Sequence, residues 1–183
     1  MDRVRERFLV LQFQQGNSDA FLKLVQAFER RLLYFLSRFE RDPERALDTL
    51  QEVWLHAWKT RSSLRSPDNF RAWVYRIAHG KVVTAIRKEA RQRQVAEQRQ
   101  SPPPVGSNAS DAMESAEMVH FALSRMSPVH REVLTLRFLE GLSIPEISFA
   151  TGCPIGTAKS RLHHASQEIT AILQEQIHAG KPE

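Results

Sequence analysis

The sequence predicts an all-α protein with two small helical domains joined by a flexible proline-rich linker, the second a helix-turn-helix domain. Three observations support this fold class. Apolar residues recur at intervals of three and four along most of the chain, which is the spacing of one helix face. No run of strand-like alternation occurs, and only 7 of the 183 residues are glycine. A segment with three consecutive prolines between Gln100 and Asp111 separates two helical halves.

The first half contains three amphipathic segments, each preceded by residues that favour a helix start. Asn17-Ser18-Asp19 precedes the first segment, and Asp42-Pro43 supplies an N-cap and a first-turn proline for the second. The third is expected to begin near Ser66-Pro67-Asp68. The residues that form the apolar faces of the three segments are, in order, Phe21, Leu24, Val25, Phe28, Leu32, Phe35, Leu36 and Phe39; Leu47, Leu50, Val53, Trp54 and Ala57; and Phe70, Trp73, Val74, Ile77 and Ala78.

Basic residues are concentrated at the end of the third segment. The chain has 26 Lys and Arg against 21 Asp and Glu, a formal net charge of +5. The stretch from Arg76 to Arg99 contains seven Lys or Arg and two acids, so it carries as much net charge as the whole chain. A local block of this kind indicates a polyanionic partner, and nucleic acid is favoured over a membrane because no strong apolar face accompanies it.

Composition excludes several classes of protein. The longest apolar run is Leu32–Leu36, far shorter than the ~18 residues that predict a membrane span. The N-terminus lacks the features of a secretory signal, and the single cysteine, Cys153, suits a reducing compartment, so we expect a cytoplasmic protein. The seven histidines include no pair four residues apart, so we expect no zinc site. We also expect no cofactor and no catalytic residue.

The second half predicts a helix-turn-helix. A helix is expected to begin at Ser127-Pro128 and to end at Gly141. Ser143-Ile144-Pro145-Glu146 has the capping-box pattern of a short helix that Gly152 ends, and a long helix then follows from Ile155 to Leu173. If this motif binds DNA, side chains near the start of the long helix would face a groove of the DNA. These side chains are Thr157, Lys159, Ser160, Arg161, His163 and His164. The alternative is an ordinary helical hairpin that does not bind DNA.

Motifs in both halves occur in the order and spacing of one known family. In the second half they include Arg131-Glu132-Val133-Leu134, Glu140-Gly141-Leu142-Ser143 and Gly156-Thr157-Ala158-Lys159-Ser160-Arg161-Leu162. In the first half they are Asp48-Thr49-Leu50-Gln51-Glu52-Val53-Trp54 and Phe70-Arg71-Ala72-Trp73-Val74-Tyr75-Arg76-Ile77-Ala78. The first set resembles region 4, and the second resembles region 2, of the extracytoplasmic-function (ECF) RNA polymerase sigma factors of the sigma-70 family.

The resemblance implies a bacterial transcription initiation factor that binds RNA polymerase core, directs it to promoters and assists strand separation. It implies region 2 at residues 1–96, a linker at 97–113 that lets the domains sit apart, and region 4 at 114–183. It leaves open whether an anti-sigma factor is a further partner. The residues that it assigns to the polymerase clamp helices are Asp48, Gln51, Glu52 and Trp54; to the minus-ten element, Phe70, Trp73, Arg76, Ile77, Gly80, Lys81, Arg87 and Lys88; and to the minus-thirty-five element, Thr157, Lys159, Ser160, Arg161, His163 and His164.

The chain departs from the family pattern at three positions. Gly80 and Thr84 stand where asparagine and aspartate are common, and His164 stands where arginine is frequent. We therefore expect altered minus-ten selectivity and the loss of one phosphate or guanine contact, since histidine carries less positive charge than arginine at neutral pH. Large aromatic residues at helical spacing usually pack in a core; for Trp73, packing and a role in strand separation are equally supported.

Two other functions are compatible with parts of the sequence. A nuclease would need clustered carboxylates, and Glu44, Asp48 and Glu52 do recur at intervals of four with Asp42 just before them, although no glycine-rich phosphate loop accompanies them. A repressor could use the helix-turn-helix alone. The docking-helix motif in the first half argues against a repressor.

Overall fold

The regular structure is helical throughout the part of the chain that is described. A computed structural model describes the backbone of residues 2–40, 42–95 and 111–179, and the side chains of residues 2–40, 42–87 and 118–176. Within these ranges there are no strands and eight α-helices, besides short 3₁₀ and π-helical turns. The helices are α1 (Arg3–Gln14), α2 (Ser18–Ser37), α3 (Pro43–Thr60), α4 (Phe70–Val95), α5 (Asp111–Arg125), α6 (Pro128–Leu134), α7 (Ile144–Thr151) and α8 (Ile155–Ala179). Most of the predicted linker lies outside the described residues.

The predicted helix starts in the first half are confirmed. The Asn17 side chain accepts a hydrogen bond from the backbone N–H of Ala20 at 2.9 Å, and the Asp42 carboxylate accepts one from the N–H of Glu44 at 3.0 Å. Leu47, however, is 45% exposed, and Ala46 is buried in its place. Ala46 lies four residues before Leu50, so the buried stripe of α3 begins one position earlier than the hydrophobicity of Leu47 suggests.

Helix α1 was not predicted by the sequence analysis. It buries Leu9, Val10 and Phe13 against the rest of the first domain. The Glu6 carboxylate, also buried, pairs with the Arg71 guanidinium of α4 at 2.5 Å, and this hydrogen bond raises the pKa of Arg71 above its ordinary value. The ion pair fixes α1 against the start of α4.

Aromatic rings fill the core of the first domain. The Phe13 ring stacks on that of Phe21 with 5.4 Å between centroids, and the Phe28 ring meets that of Phe70 edge-on, also at 5.4 Å. Trp73 lies 6.1 Å from Phe70 in the same cluster. Packing of this kind holds the buried face of α4 in one orientation relative to α2.

The short helix of the helix-turn-helix begins and ends at the predicted residues. Ser143 accepts a hydrogen bond from the N–H of Glu146 at 3.4 Å, and the Glu146 carboxylate accepts one from the N–H of Ser143 at 2.7 Å. Gly152 has φ of +68°, the left-handed conformation that ends α7 before α8 begins. Unlike the single helix expected before Gly141, α6 gives way to a π-helical turn at Thr135–Leu139.

The two domains are in direct contact. Helix α7 of the second domain lies along α4 of the first. Most buried apolar side chains of both domains belong to one continuous cluster, in which Tyr75 and Ile147 are fully buried. The domains therefore do not sit apart in this conformation of the chain.

Candidate polymerase and DNA interfaces

Helix α3 presents a polar face to solvent. Asp48, Gln51 and Glu52 are all exposed on it. Trp54, which the sequence analysis grouped with them, points into the core instead: it is 7% exposed, and its ring meets that of Phe21 at 5.9 Å. The reason is helical phase, because Trp54 lies four residues after the buried Leu50. The exposed face thus consists of two carboxylates and one amide.

The residues assigned to the minus-ten element fall into two groups, one accessible to solvent and one buried. Arg76, Gly80 and Arg87 are exposed, and Ile77 and Lys81 are half-buried. Phe70 and Trp73, by contrast, are 1% and 6% exposed. Both belong to the aromatic core, so they support α4 and are not free to stack on a base in this conformation. The side chain of Lys88 lies outside the described residues.

A hydrogen bond also fixes the orientation of the Trp73 ring. The indole N–H donates to the Ser63 hydroxyl at 3.2 Å. This contact joins α4 to the 3₁₀ turn at Arg61–Ser63, which follows α3. Trp73 can therefore set the position of that turn relative to α4 without touching a ligand itself.

A groove of about 970 Å³ separates α3 from α4. Its α3 wall is acidic, with Asp48 and Glu52, while its α4 wall carries Arg76 and Lys81. The Glu52 carboxylate bridges the two walls by pairing with the Lys81 ammonium at 2.8 Å. The two predicted surfaces, one for polymerase and one for DNA, are thus adjacent walls of a single groove.

Several residues that line this groove were not predicted from the sequence, among them His56 and Phe149. His56 lines the α3 wall, and it could have been identified because it lies four residues after Glu52 on the same helix face. Phe149 closes one end of the groove although it belongs to α7 of the second domain. No local sequence signal indicates that position.

Gly80 leaves open space in the groove. A Cβ atom added there would meet no atom within 4 Å, and the backbone of Gly80 is not in the left-handed conformation. The Thr84 hydroxyl donates to the Gly80 carbonyl at 2.8 Å, so it is engaged with the helix backbone. The helix would accept a larger residue at position 80 without a clash.

Helix α8 presents its first turns to solvent. Lys159, Ser160, His163 and His164 are exposed, whereas Thr157 and Arg161 are half-buried. The opposite face holds the helix in place through Ala158 and Ala165, which are 1% and 0% exposed. This is the arrangement of a recognition helix, in which residues of the first turns reach a DNA groove while small residues pack behind.

Two features are absent from the part of the chain that the structure describes. No three His, Cys, Asp or Glu side chains of those residues are grouped so that they could hold a metal ion. None of the helices formed by the described residues has the length and apolar character needed to cross a membrane.

Comparisons with known proteins agree with this geometry. The family model for sigma-70 region 2 matches residues 24–92, and the model for sigma-70 region 4 matches residues 116–169. The RNA polymerase sigma-H factor of Pseudomonas aeruginosa is 30% identical, with 93% of this chain and 94% of that protein covered. The ECF RNA polymerase sigma-E factor of Escherichia coli K12 is 28% identical, with 96% and 98% covered.

Solved structures share the fold. CnrH, in complex with the cytosolic domain of CnrY, gives a TM-score of 0.65 at 24% identity and covers 93% of this chain and 98% of its own. The sigma factor RpoE of Bartonella quintana, in complex with the anti-sigma factor NepR, gives 0.68 at 23% identity and covers 84% and 96%.

The functional conclusion rests on both domains together. Each family model falls on one of the two domains, in the order region 2 and then region 4, and the relatives match along nearly their whole length. Sigma factors are not enzymes; they act by binding. The chain therefore belongs to the ECF group of the sigma-70 family, transcription initiation factors that bind RNA polymerase and direct it to promoters.

Proposed function

We propose that residues 1–96 act as region 2, residues 97–113 as the linker and residues 114–183 as region 4. Region 2 binds polymerase and the minus-ten element, and region 4 binds the minus-thirty-five element. Both act in the cytoplasm, where polymerase works. The observation that carries this proposal is the groove whose acidic α3 wall faces a cationic α4 wall, because one fold then offers separate surfaces to a protein and to DNA.

Polymerase docking falls to the exposed face of α3. Asp48, Gln51 and Glu52 supply acceptors, and the amide also donates. Such a face suits a partner surface rich in arginine, as the clamp helices of polymerase core would provide. The buried Trp54 ring packs in the core beneath this face and does not itself contact polymerase.

Minus-ten recognition falls to the face of α4 that lines the groove and to the cations that follow it along the helix. Arg76, Lys81, Arg87 and Lys88 supply cations for phosphate, and Ile77 offers an apolar contact for an unstacked base. Gly80 leaves room for a base beside the helix but contributes no polar group to read it. Phe70 and Trp73 hold α4 in place behind this face.

Minus-thirty-five recognition falls to the start of α8. Lys159, Ser160 and His163 are exposed, and they are the residues that we assign to base edges. Arg161, half-buried, is assigned to phosphate together with Thr157 and His164. The positive end of the α8 dipole favours phosphate at the same place.

An anti-sigma factor is proposed as a further partner. The fold supports this proposal, because this chain shares it with a sigma factor solved in complex with an anti-sigma factor. A partner of this kind would have to cover the α3 face or the α4 face to prevent initiation.

Reconstituted transcription tests the proposal. The full chain, added to core RNA polymerase from the same organism, should produce run-off transcripts from genomic fragments that core alone does not transcribe. Their start sites should share two upstream motifs at a constant spacing, because two domains read them. Transcription equal to that of core alone, or transcripts with a single shared motif, would contradict the assignment.

A further inference from the structure

Helix α8 begins with an apolar side chain that stays outside the core. Ile155, the first residue of the helix, is 56% exposed, whereas Leu162 and Ile169 further along the helix pack against the buried apolar cluster. Single exposed apolar residues are common on protein surfaces, so exposure by itself assigns no role to Ile155. Its place on α8 is more informative, because it shares a face with residues assigned to DNA bases.

That face contains two of the assigned base readers. Lys159 follows Ile155 by four positions and His163 follows it by eight, and all three side chains are exposed. Residues four apart on an α-helix lie one above the other on the same face. In a helix-turn-helix, the first residues of the second helix are the ones that contact base edges in the major groove of DNA. Ile155 therefore lies beside the stretch of DNA that Lys159 and His163 would reach.

The turn before α8 holds Ile155 in place. The Ser148 hydroxyl of α7 donates to the Cys153 carbonyl at 2.6 Å, and the N–H of Ala158 donates to the Pro154 carbonyl at 3.0 Å. Isoleucine is branched at Cβ, so one rotamer is strongly preferred in a helix. A side chain constrained in this way loses little conformational entropy when it contacts a ligand.

The surface next to Ile155 is open. Gly156 follows it on the exposed side of the helix, and a Cβ atom added to Gly156 would meet no atom within 4 Å. Because glycine has no side chain, nothing at position 156 projects past Ile155 toward a ligand. A base pair can therefore approach the isoleucine closely.

The chemistry of isoleucine restricts which base it can recognise. An aliphatic side chain has no donor or acceptor for the polar atoms of a base edge. The major groove of DNA presents one apolar group, the 5-methyl group of thymine, and its other distinguishing groups are donors and acceptors. Lys159 on the same face is a donor, and lysine suits the O6 and N7 atoms of guanine. The two residues are thus suited to different bases.

We propose that Ile155 reads the 5-methyl group of a thymine in the minus-thirty-five element and is a specificity residue of the second domain. This role rests on the proposed function of α8 and adds an apolar contact to the polar side chains assigned there. Removal of one methyl group from water corresponds to a change of about fourfold in affinity. We expect an effect of that size at a single base pair.

Replacement of thymine by uracil tests this contact directly, because uracil pairs with adenine in the same way but lacks the methyl group. The probe is a labelled duplex that carries the minus-thirty-five motif shared by the promoters of the run-off assay. Each thymine of that motif, on either strand, is replaced by uracil in turn. Holoenzyme formed with the full wild-type chain should lose about fourfold in affinity at one of these positions.

Two variants of Ile155 identify the residue responsible. With Ile155→Ala, holoenzyme should bind the thymine duplex more weakly than wild type, and uracil at the sensitive position should cost less than about twofold, because the methyl group has lost its apolar partner. Ile155→Val retains a branched apolar side chain and should retain most of the wild-type sensitivity. Both substitutions are at an exposed position, so the domain should stay folded, which circular dichroism verifies.

The matched control is Leu22→Ala. Leu22 lies on α2 of the first domain and is also 56% exposed, so this variant loses a similar apolar surface away from α8. Its response to uracil should equal that of the wild type. The inference is wrong if no thymine position responds to uracil, or if Ile155→Ala responds as strongly as the wild type does. If the promoters share no minus-thirty-five motif, the proposed function of α8 fails and the role of Ile155 fails with it.

Discussion

The Nη1 atom of Arg76 lies 2.5 Å from the backbone oxygen of Phe149, so a cation on the proposed DNA face of one domain is hydrogen-bonded to the other domain. A cation over an aromatic ring at a partly exposed site contributes about 0.5–1 kcal/mol, and the hydrogen bond adds a similar amount. Phosphate can replace both contacts, because an arginine–phosphate pair is charged on both sides. In the form in which the two domains are in contact, here called the closed form, Arg76 therefore makes only weak contacts with the second domain, which a phosphate ligand can displace.

Charge reversal at Glu52 should weaken binding to polymerase core. Glu52→Lys places a cation on the exposed α3 face and breaks the pair with Lys81. The stability of the domain should change by about 1 kcal/mol or less, because exposed ion pairs contribute little. Affinity for core, measured by titration with labelled protein, should fall by tenfold or more, about 1.4 kcal/mol, since like charges at an interface are costly.

The matched control for Glu52→Lys is Glu29→Lys. Glu29 is exposed on α2, and the substitution changes the net charge of the chain by the same amount. It should leave core affinity close to wild type. Equal losses in the two variants would mean that overall charge, and not the α3 face, governs binding.

Alanine at position 80 should stabilise the first domain. Gly80 lies within α4 with open space around its Cβ position, and glycine in a helix costs about 0.5–1 kcal/mol relative to alanine. Gly80→Ala should therefore raise the free energy of unfolding by about that amount in a denaturant titration. A loss of stability would show that a neighbour approaches this position more closely than the structure indicates.

Asparagine at position 80 addresses recognition instead of stability. Gly80→Asn adds a donor and an acceptor beside Ile77 and Lys81, and we expect it to sharpen the minus-ten preference. Promoters selected from a randomised minus-ten library should carry a more restricted motif with Gly80→Asn than with Gly80→Ala. Identical motifs would place base reading elsewhere on α4.

Acidification should favour the closed form, because Glu140 of the second domain is buried there against the Arg31 guanidinium of α2, at 2.9 Å. Burial raises the pKa of this carboxyl above its ordinary value of 4.5, although Tyr75 and Arg31 oppose the shift. The groups that face it are Arg31 on α2 and Arg71 and Tyr75 on α4; burial raises the pKa of Tyr75 well above 10, so that hydroxyl stays protonated. In the open form Glu140 returns to water, so the closed form binds the proton more tightly.

The sign of this pH dependence follows from that difference. As the pH falls through the raised pKa toward the ordinary one, the closed form gains stability from Glu140, and above the raised pKa the gain is lost. Between about pH 7 and pH 5, the radius of gyration of the wild-type chain should therefore fall more than that of Glu140→Gln, whose amide does not titrate. The two chains share every other carboxylate, so equal responses would rule out Glu140 as the source.

Local signals explain what the sequence could predict. Ser143 and Glu146 form the cap that begins α7, and Gly152 ends that helix. Each acts within one turn of helix, and each behaves as expected. Helix α1 was not predicted because its first turn contains polar arginines and a glutamate. The burial of Glu6 depends on its ion pair with Arg71, which is far away in the sequence. The contact of Arg31 with Glu140 depends on complementary surfaces far apart in sequence, and no periodicity within one helix carries that information.

The recognition helix allows base reading to be separated from backbone binding. Lys159 is exposed in the first turns of α8, whereas Arg161 is half-buried beside the packed face that holds Ala158. A lysine that reads a base edge changes the preference at one position by ~1–3 kcal/mol, while a cation that touches only phosphate weakens all sequences alike and lowers the salt dependence of binding. Holoenzyme with Lys159→Ala should therefore select an altered motif from a randomised minus-thirty-five library, and holoenzyme with Arg161→Ala should select the wild-type motif with uniformly lower affinity. Removal of either charge alters the net charge of the chain equally, so each variant controls for the other. An altered motif with Arg161→Ala and a uniform loss with Lys159→Ala would reverse the two assignments.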